Sequence, residues 1–134
     1  MSRRFFLKTL AILGAGIGLP AAAKSINHIA KHTQGKLLQT SPIAGFQYHQ
    51  GEALWAQLAQ GAHLQLTREP ENKFDPRAVR VDFNGQKLGY IPRLDNAVVS
   101  QLLDRGERIQ AHIADLKMSD DPWKRVGVEV RWMI

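Results

Sequence analysis

Apolar and polar residues alternate with a period of two along much of this chain, which is the pattern of half-buried β-strands. Residues 125–134 show it most cleanly, with an apolar residue at every second position from Val126 to Trp132. The segment 37–48 is similarly apolar, but Pro42 interrupts it and predicts an edge strand or a bulge there. Shorter runs of the same kind predict strands at residues 63–68, 78–83, 86–91 and 108–118.

Turn and helix signals connect these strands. Asn84-Gly85 between two alternating runs predicts a tight β-hairpin, because both residues readily adopt a positive φ. Residues 94–105 carry apolar side chains at helical spacing, Asp95 or Asn96 can cap the start, and Gly106 lies where the helix should end. The pattern therefore predicts a mainly β fold: a small six-stranded, partly closed barrel with one main helix against an opening.

Residues 1–23 have the layout of an export signal. Three basic residues and no acid precede an apolar, Gly- and Ala-rich stretch, and three alanines end at Ala23. The heptapeptide 2–8, Ser-Arg-Arg-Phe-Phe-Leu-Lys, resembles the twin-arginine motif that bacteria read as an export address. This resemblance implies export in the folded state, to the periplasm or out of the cell. Retention as an uncleaved anchor is the alternative, although the apolar stretch is short for a spanning helix of about 20 residues.

Charge and cysteine content limit the classes of function. The chain has a net charge of +6, and removing residues 1–23 leaves fifteen basic against twelve acidic residues, a net charge of +3. A mildly basic domain can bind a polyanion but need not do so. The absence of cysteine excludes disulfides, thiolate metal sites and thiol catalysis. After a polar linker at residues 24–36, we expect residues 37–134 to form one domain.

The densest group of candidate binding residues lies in the loop between the predicted strands 63–68 and 78–83. Asn72, Phe74 and Asp75 fall within four residues. An aromatic ring beside an amide and a carboxylate can stack on a flat ligand and hydrogen-bond its polar edge. Asn and Asp next to proline are also turn formers that bond their own backbone, so a purely structural role is the alternative.

Nothing in the sequence supports catalysis. It has no nucleophile elbow, no phosphate-binding glycine loop and no paired carboxylates in a plausible cleft. His28 and His32 have the spacing of metal ligands, but no third ligand lies near them in the sequence. We therefore expect a non-catalytic binding module with neither a metal nor a cofactor.

Three motifs in order make the chain similar to the HIRAN domain family. They are Gly45-Phe46-Gln47-Tyr48, the run from Arg68-Glu69-Pro70 through Asn72-Lys73-Phe74-Asp75, and Gly89-Tyr90-Ile91-Pro92-Arg93. The resemblance covers residues 37–134. It implies an OB-like β-barrel that binds single-stranded DNA and captures its 3′-hydroxyl end. We interpret Tyr90 in the third motif as a structural residue that packs against the helix.

The resemblance also implies a set of binding residues. Tyr48 and Phe74 would stack on bases, while Asn72 and Asp75 would hydrogen-bond the terminal sugar and its hydroxyl. His49 stands at a position where the family can have a second aromatic residue. The cations that would contact backbone phosphates are Arg68, Lys73, Arg77 and Arg93.

Two functions from different classes follow. The first is an exported module that binds single-stranded nucleic acid at its 3′ end. The second is an exported interaction or sugar-binding domain that uses the same pocket for an envelope protein or a glycan, because sugars also offer hydroxyls and flat faces. The mild charge and the export signal favour the second function, whereas the Asn-x-aromatic-Asp pattern favours the first.

Overall fold

The computed structural model describes residues 35–134, so the predicted export signal and most of the predicted linker lie outside the described residues. Six strands form one antiparallel sheet: β1 (Lys36–Ser41), β2 (His63–Arg68), β3 (Val79–Phe83), β4 (Gln86–Tyr90), β5 (Ile109–Leu116) and β6 (Val126–Trp132). Their order across the sheet is β1-β6-β5-β2-β3-β4. The prediction of six short strands in a mainly β fold is confirmed.

The alternating pattern places the core on one side of the strands. In β6, Val126, Val128 and Val130 are buried, while the residues between them are partly exposed. Leu64 of β2 and Ile113 of β5 are buried in the same cluster. Because β2 to β6 carry apolar residues mainly at alternate positions, they bury one continuous apolar cluster.

Two helices complete the described part of the chain. The short helix α1 (Gly51–Leu54) continues into a 3₁₀ turn, and α2 (Ala97–Asp104) packs against β2 and β5. Gly106 follows α2 with a φ of 78°, as predicted for a helix end. Asn96 precedes α2, but its side chain makes no capping hydrogen bond and is directed to another part of the fold. No helix of the described residues is long and apolar enough to cross a membrane.

Two turns show where local sequence signals succeed and fail. Asn84 and Gly85 both have positive φ, 49° and 78°, so the predicted hairpin is confirmed. The extended segment predicted for residues 37–48 is correct only for β1. Gly45 has a φ of 76° and turns the chain into a 3₁₀ turn at Phe46–Tyr48, where we expected a strand.

The two edges of the sheet approach each other at one point, which we call the seam. Ala44, just after β1, and Tyr90, at the end of β4, exchange two backbone hydrogen bonds of 2.8 and 3.0 Å. Gly89 allows this approach, because a Cβ there would collide with the Ala44 carbonyl oxygen. The sheet therefore remains open apart from this single bridge, in agreement with a partly closed barrel.

Candidate functional site

The loop between β2 and β3 is held in place by its own side chains. The Asn72 Oδ1 accepts hydrogen bonds from the backbone N–H groups of Phe74 and Asp75, at 2.9 and 3.1 Å. Its Nδ2 donates to Glu69 at 3.1 Å. The Asp75 carboxylate accepts from the Arg77 backbone N–H at 3.0 Å through one oxygen. The loop is therefore ordered by local hydrogen bonds of the kind that Asn and Asp favour in turns.

Two further contacts tie this loop to helix α2. The second Asp75 oxygen accepts from the Asn96 side-chain amide at 2.7 Å. The Arg68 guanidinium donates to Asp104 at 2.9 Å and to the backbone carbonyls of Ala78 and Pro76 at 2.7 and 3.0 Å. Most of the donors of Arg68 are thus engaged within the protein, and its side chain clamps the loop between β2 and the end of α2.

A cleft of about 270 Å³ lies beside the loop, above the seam. The Phe74 ring stands at its rim and is 85% exposed. Such a large apolar surface, presented by a well-ordered loop, contributes nothing to the core and is available to a ligand. The lining residues are Ala44, Asn72, Phe74, Asp75, Ala78, Tyr90, Ile91 and Arg93.

Tyr90 belongs to this cleft, which corrects our interpretation of it as a structural residue packed on the helix. Its hydroxyl donates to the Glu69 carboxylate at 2.8 Å, and the Lys87 ammonium lies 4.4 Å from the centre of its ring. The His49 ring approaches it edge-on at 6.2 Å. These contacts fix the orientation of the tyrosine ring. The sequence did not predict that Tyr90 would line the cleft or that Lys87 would pack against its ring.

The carboxylates around the cleft have perturbed acidities. Burial acts to raise the pKa of Asp75, but hydrogen bonds from Arg77 and Asn96 and the nearby arginine charges outweigh it, so the pKa lies below its ordinary value. Burial likewise opposes ionisation of Glu69, yet its hydrogen bonds with Asn72 and Tyr90 help to lower the pKa. Both carboxylates are therefore ionised at neutral pH.

The His49 pKa is also lowered, which for a histidine favours the uncharged form. Burial is the largest cause, and the positive charges of Lys87 and Arg80 add to it, while Glu69 partly offsets them. His49 is thus a neutral imidazole at neutral pH. It can accept or donate one hydrogen bond beside the Tyr90 ring.

The remaining candidate residues divide into two groups. Arg93 lines the cleft, and Lys73 and Arg77 are exposed on the loop next to it. Tyr48 is 78% exposed, but it lies on the 3₁₀ turn beyond the seam and is not part of the cleft wall. The structure therefore brings Asn72, Phe74, Asp75 and Arg93 together in the cleft. Arg68 supports the loop through its hydrogen bonds to the carbonyl oxygens of Pro76 and Ala78.

The side chains of the cleft belong to several chemical classes. Within residues 35–134, no group of three or more His, Cys, Asp or Glu side chains could hold a metal ion. The cleft instead combines two aromatic rings, an amide, an ionised carboxylate and an arginine. This fold and this cleft define a small, mainly β domain of OB-like type with an open sheet and an accessible cleft.

The family follows from comparison with known proteins. Residues 37–131 match the model of the HIRAN domain, and the chain belongs to this family of binding modules. The match covers the six strands almost completely. The resemblance inferred from the three sequence motifs is thereby confirmed.

Individual relatives support the same assignment. Over 93 residues, or 66% of this chain, the sequence is 34% identical to the Fanconi-associated nuclease 1 homolog of Oryza sativa subsp. japonica. The aligned region spans only 8% of that protein. A protein from Lactobacillus plantarum with a known crystal structure is 27% identical in sequence to this chain. The two structures align with a TM-score of 0.63, over 73% of this chain and 94% of the other.

The HIRAN domain of human HLTF shares the fold. Its TM-score is 0.57 at 16% identity, and the alignment covers 72% of this chain and 74% of the human domain. At this identity the similarity concerns the arrangement of strands and not the binding residues.

Proposed function

We propose that residues 37–134 bind single-stranded nucleic acid and hold its 3′-hydroxyl end in the cleft beside Phe74. The observation that carries this proposal is the 85% exposed Phe74 ring on a loop ordered by Asn72 and Asp75. An exposed ring on an ordered loop loses little conformational entropy when a ligand stacks on it. Family membership supports the same ligand class, because HIRAN domains bind nucleic acid.

The aromatic rings would supply most of the binding free energy. Stacking of a base on an aromatic side chain contributes about 1–3 kcal/mol and tolerates any base. Phe74 and Tyr90 both line the cleft, and the contacts of Tyr90 with Glu69 and Lys87 hold its ring in place. One terminal base would therefore meet two aromatic surfaces without rearrangement of the protein.

The cleft carboxylate would distinguish the end of the strand. Asp75 is ionised at neutral pH and lines the cleft. Each of its oxygens accepts one hydrogen bond from the protein, and a carboxylate oxygen has a second lone pair for a sugar hydroxyl. A 3′-phosphate in the same place would be repelled by this charge, so we expect selection of a free 3′-hydroxyl.

Three cations would contact the phosphates of the strand. Lys73, Arg77 and Arg93 are exposed near the cleft, and none forms an ion pair with another residue of the described chain. Arg68 would contribute indirectly, through the position of the loop. Few phosphate contacts predict moderate affinity with a shallow dependence on salt.

Fluorescence polarisation with labelled single strands tests this proposal. The domain should bind a strand with a 3′-hydroxyl more tightly than the same strand with a 3′-phosphate. Asp75→Ala should reduce that preference, and Glu71→Ala on the exposed side of the same loop is the matched control. The absence of binding to both strands at low salt would refute the proposal.

We further propose that the chain is exported through its twin-arginine motif. Support comes from the sequence alone: the heptapeptide 2–8, the apolar stretch and the alanines ending at Ala23. Replacement of Arg3 and Arg4 by lysine should retain the precursor in the cytoplasm of a bacterial host. Unchanged export of this variant would contradict the proposal, and mass spectrometry of the exported form would reveal cleavage or a retained anchor.

A further inference from the structure

A second groove, with a volume of about 350 Å³, is lined by residues of β1, β5 and β6 and of the turn between β5 and β6. The end of β1 forms one wall, and the 3₁₀ turn Pro122–Lys124 forms the other. Trp123 is 49% exposed there, in spite of its size. The lining residues are Thr40, Ser41, Pro42, Asp115, Trp123, Lys124, Val126 and Gly127.

The tryptophan is presented by an ordered turn. The Asp121 side chain accepts a hydrogen bond from the Trp123 backbone N–H at 3.1 Å. Arg125 donates to the Ser119 carbonyl oxygen at 2.7 Å and forms an ion pair with Glu52. An aromatic ring fixed in this way offers a stacking surface that needs little ordering on binding.

Asp115 places a carboxylate in the same groove. Its side chain is exposed and makes no hydrogen bond or ion pair with another described residue. It lies directly over Gly127, where a Cβ would collide with its Oδ1. The carboxylate thus sits close against β6 in the groove that Trp123 also lines.

The second groove and the proposed binding cleft are lined by neighbouring parts of the chain. Ala44 lines the cleft, whereas Ser41 and Pro42 line the groove. The turn that carries Tyr48 packs against the turn that carries Trp123. Tyr48 and Trp123 therefore present exposed aromatic rings on adjoining turns, and Phe74 presents a third at the rim of the cleft.

We propose that this groove accepts one unstacked base of the same single strand, stacked on Trp123 and hydrogen-bonded to Asp115. This inference rests on the proposed function, because the strand must first be anchored by its end in the cleft. The groove then gives the domain a base preference at an internal nucleotide, a few positions from the 3′ end.

The chemistry of the groove selects the base. A carboxylate accepts hydrogen bonds from the exocyclic amines of cytosine, adenine and guanine, whereas thymine has no exocyclic amine. Lys124 lines the groove together with Asp115, so the groove offers a carboxylate to a base and a cation to a neighbouring phosphate.

Strands of about eight nucleotides that end in the same thymidines, preceded either by cytidines or by thymidines, test this inference by fluorescence polarisation. The wild-type domain should prefer the cytidine strand by about threefold to tenfold, as expected for one added hydrogen bond. Asp115→Asn should abolish that preference, since an amide can also donate to a thymine carbonyl. Trp123→Ala should weaken binding of both long strands by at least about fivefold.

Matched variants and short strands separate the two sites. Met118→Ala alters an exposed residue near the groove that does not line it, and this variant should behave as wild type. Trp123→Ala should leave the affinity for a trinucleotide unchanged, whereas Phe74→Ala should weaken it. Unaltered binding of long strands by Trp123→Ala, or an unaltered cytidine preference in Asp115→Asn, would overturn the inference while leaving the 3′-end site intact. Failure of the wild type to bind any strand would instead refute the proposed function.

Discussion

The seam between the sheet edges depends on a glycine, and replacing that glycine tests both fold and site. Gly89 has a φ of 153°, and a Cβ would overlap the Ala44 carbonyl oxygen, which accepts the hydrogen bond from Tyr90. Gly89→Ala should therefore force Ala44 and Tyr90 apart. Since both residues line the cleft, the substitution would distort it as well.

The size of the effect follows from backbone strain together with the hydrogen bonds that the substitution would break. Strain from the unfavourable backbone conformation costs about 1–3 kcal/mol. The two hydrogen bonds of the seam contribute about 0.5–1.5 kcal/mol each. Gly89→Ala should thus lower the free energy of unfolding by about 2–6 kcal/mol, a large part of the roughly 5–15 kcal/mol typical of a small domain.

Gly85→Ala is the matched control for this experiment. Gly85 also has a positive φ, of 78°, but an added Cβ would meet nothing within 4 Å. Its substitution should therefore cost only the conformational strain, about 1–2 kcal/mol. Urea denaturation of both variants measures the difference. If Gly89→Ala were no less stable than Gly85→Ala, our account of the seam would be refuted.

Three further predictions concern the cleft and its loop. Phe74→Ala should weaken binding to single strands at least about fivefold with an unchanged melting temperature, because the ring is exposed; a matching loss of stability would contradict this. Arg68→Lys should lower the free energy of unfolding, measured in urea, by about 1–3 kcal/mol, because lysine cannot bond to Asp104 and to both loop carbonyls at once. A variant as stable as the wild type would show that Arg68 does not hold the loop in place. The Glu69 pKa is lowered in the folded state, so its stabilising effect is present above the unfolded pKa and is lost as the pH falls through the folded pKa. In Glu69→Gln the melting temperature should therefore fall less steeply with decreasing pH than in the wild type. An equally steep fall would show that Glu69 does not contribute to the acid sensitivity.

The sequence predicts those parts of the fold that depend on near neighbours. Alternation along β6 and the Asn84-Gly85 turn indicated the right structures, because strand faces and tight turns are set by residues a few positions apart. The helix ending before Gly106 was predicted on the same basis. The prediction of a strand at Phe46–Tyr48 was wrong, because Gly45 adopts a positive φ that turns the chain out of the extended conformation.

The cleft was less predictable, because its geometry depends on distant pairings. Tyr90 reaches the cleft through the seam with Ala44 and through an irregularity in the pairing of β3 with β4. Gly89 within the strand pattern is a local signal for such features, but it does not identify the distant partner. Arg68 resembled a phosphate contact because it lies next to the motif, but its partner Asp104 is 36 positions away. The location of the site was therefore accessible from the sequence, whereas the division between ligand contacts and supporting residues was not.

The seam also has a consequence for how the domain releases a ligand. Elsewhere neighbouring strands share several paired residues, but within residues 35–134 the edges of the sheet share one β-bridge, that of Ala44 with Tyr90, and one further hydrogen bond joins the Gln50 backbone N–H to the Lys87 carbonyl oxygen. A region held by few hydrogen bonds opens locally at lower free energy than the rest of a fold. Because one residue of the bridge lies on each side of the cleft floor, a ligand that contacts both sides would hold the bridge shut. Dissociation and local opening would then be linked, and slowed hydrogen exchange of these two backbone amides would report an occupied cleft.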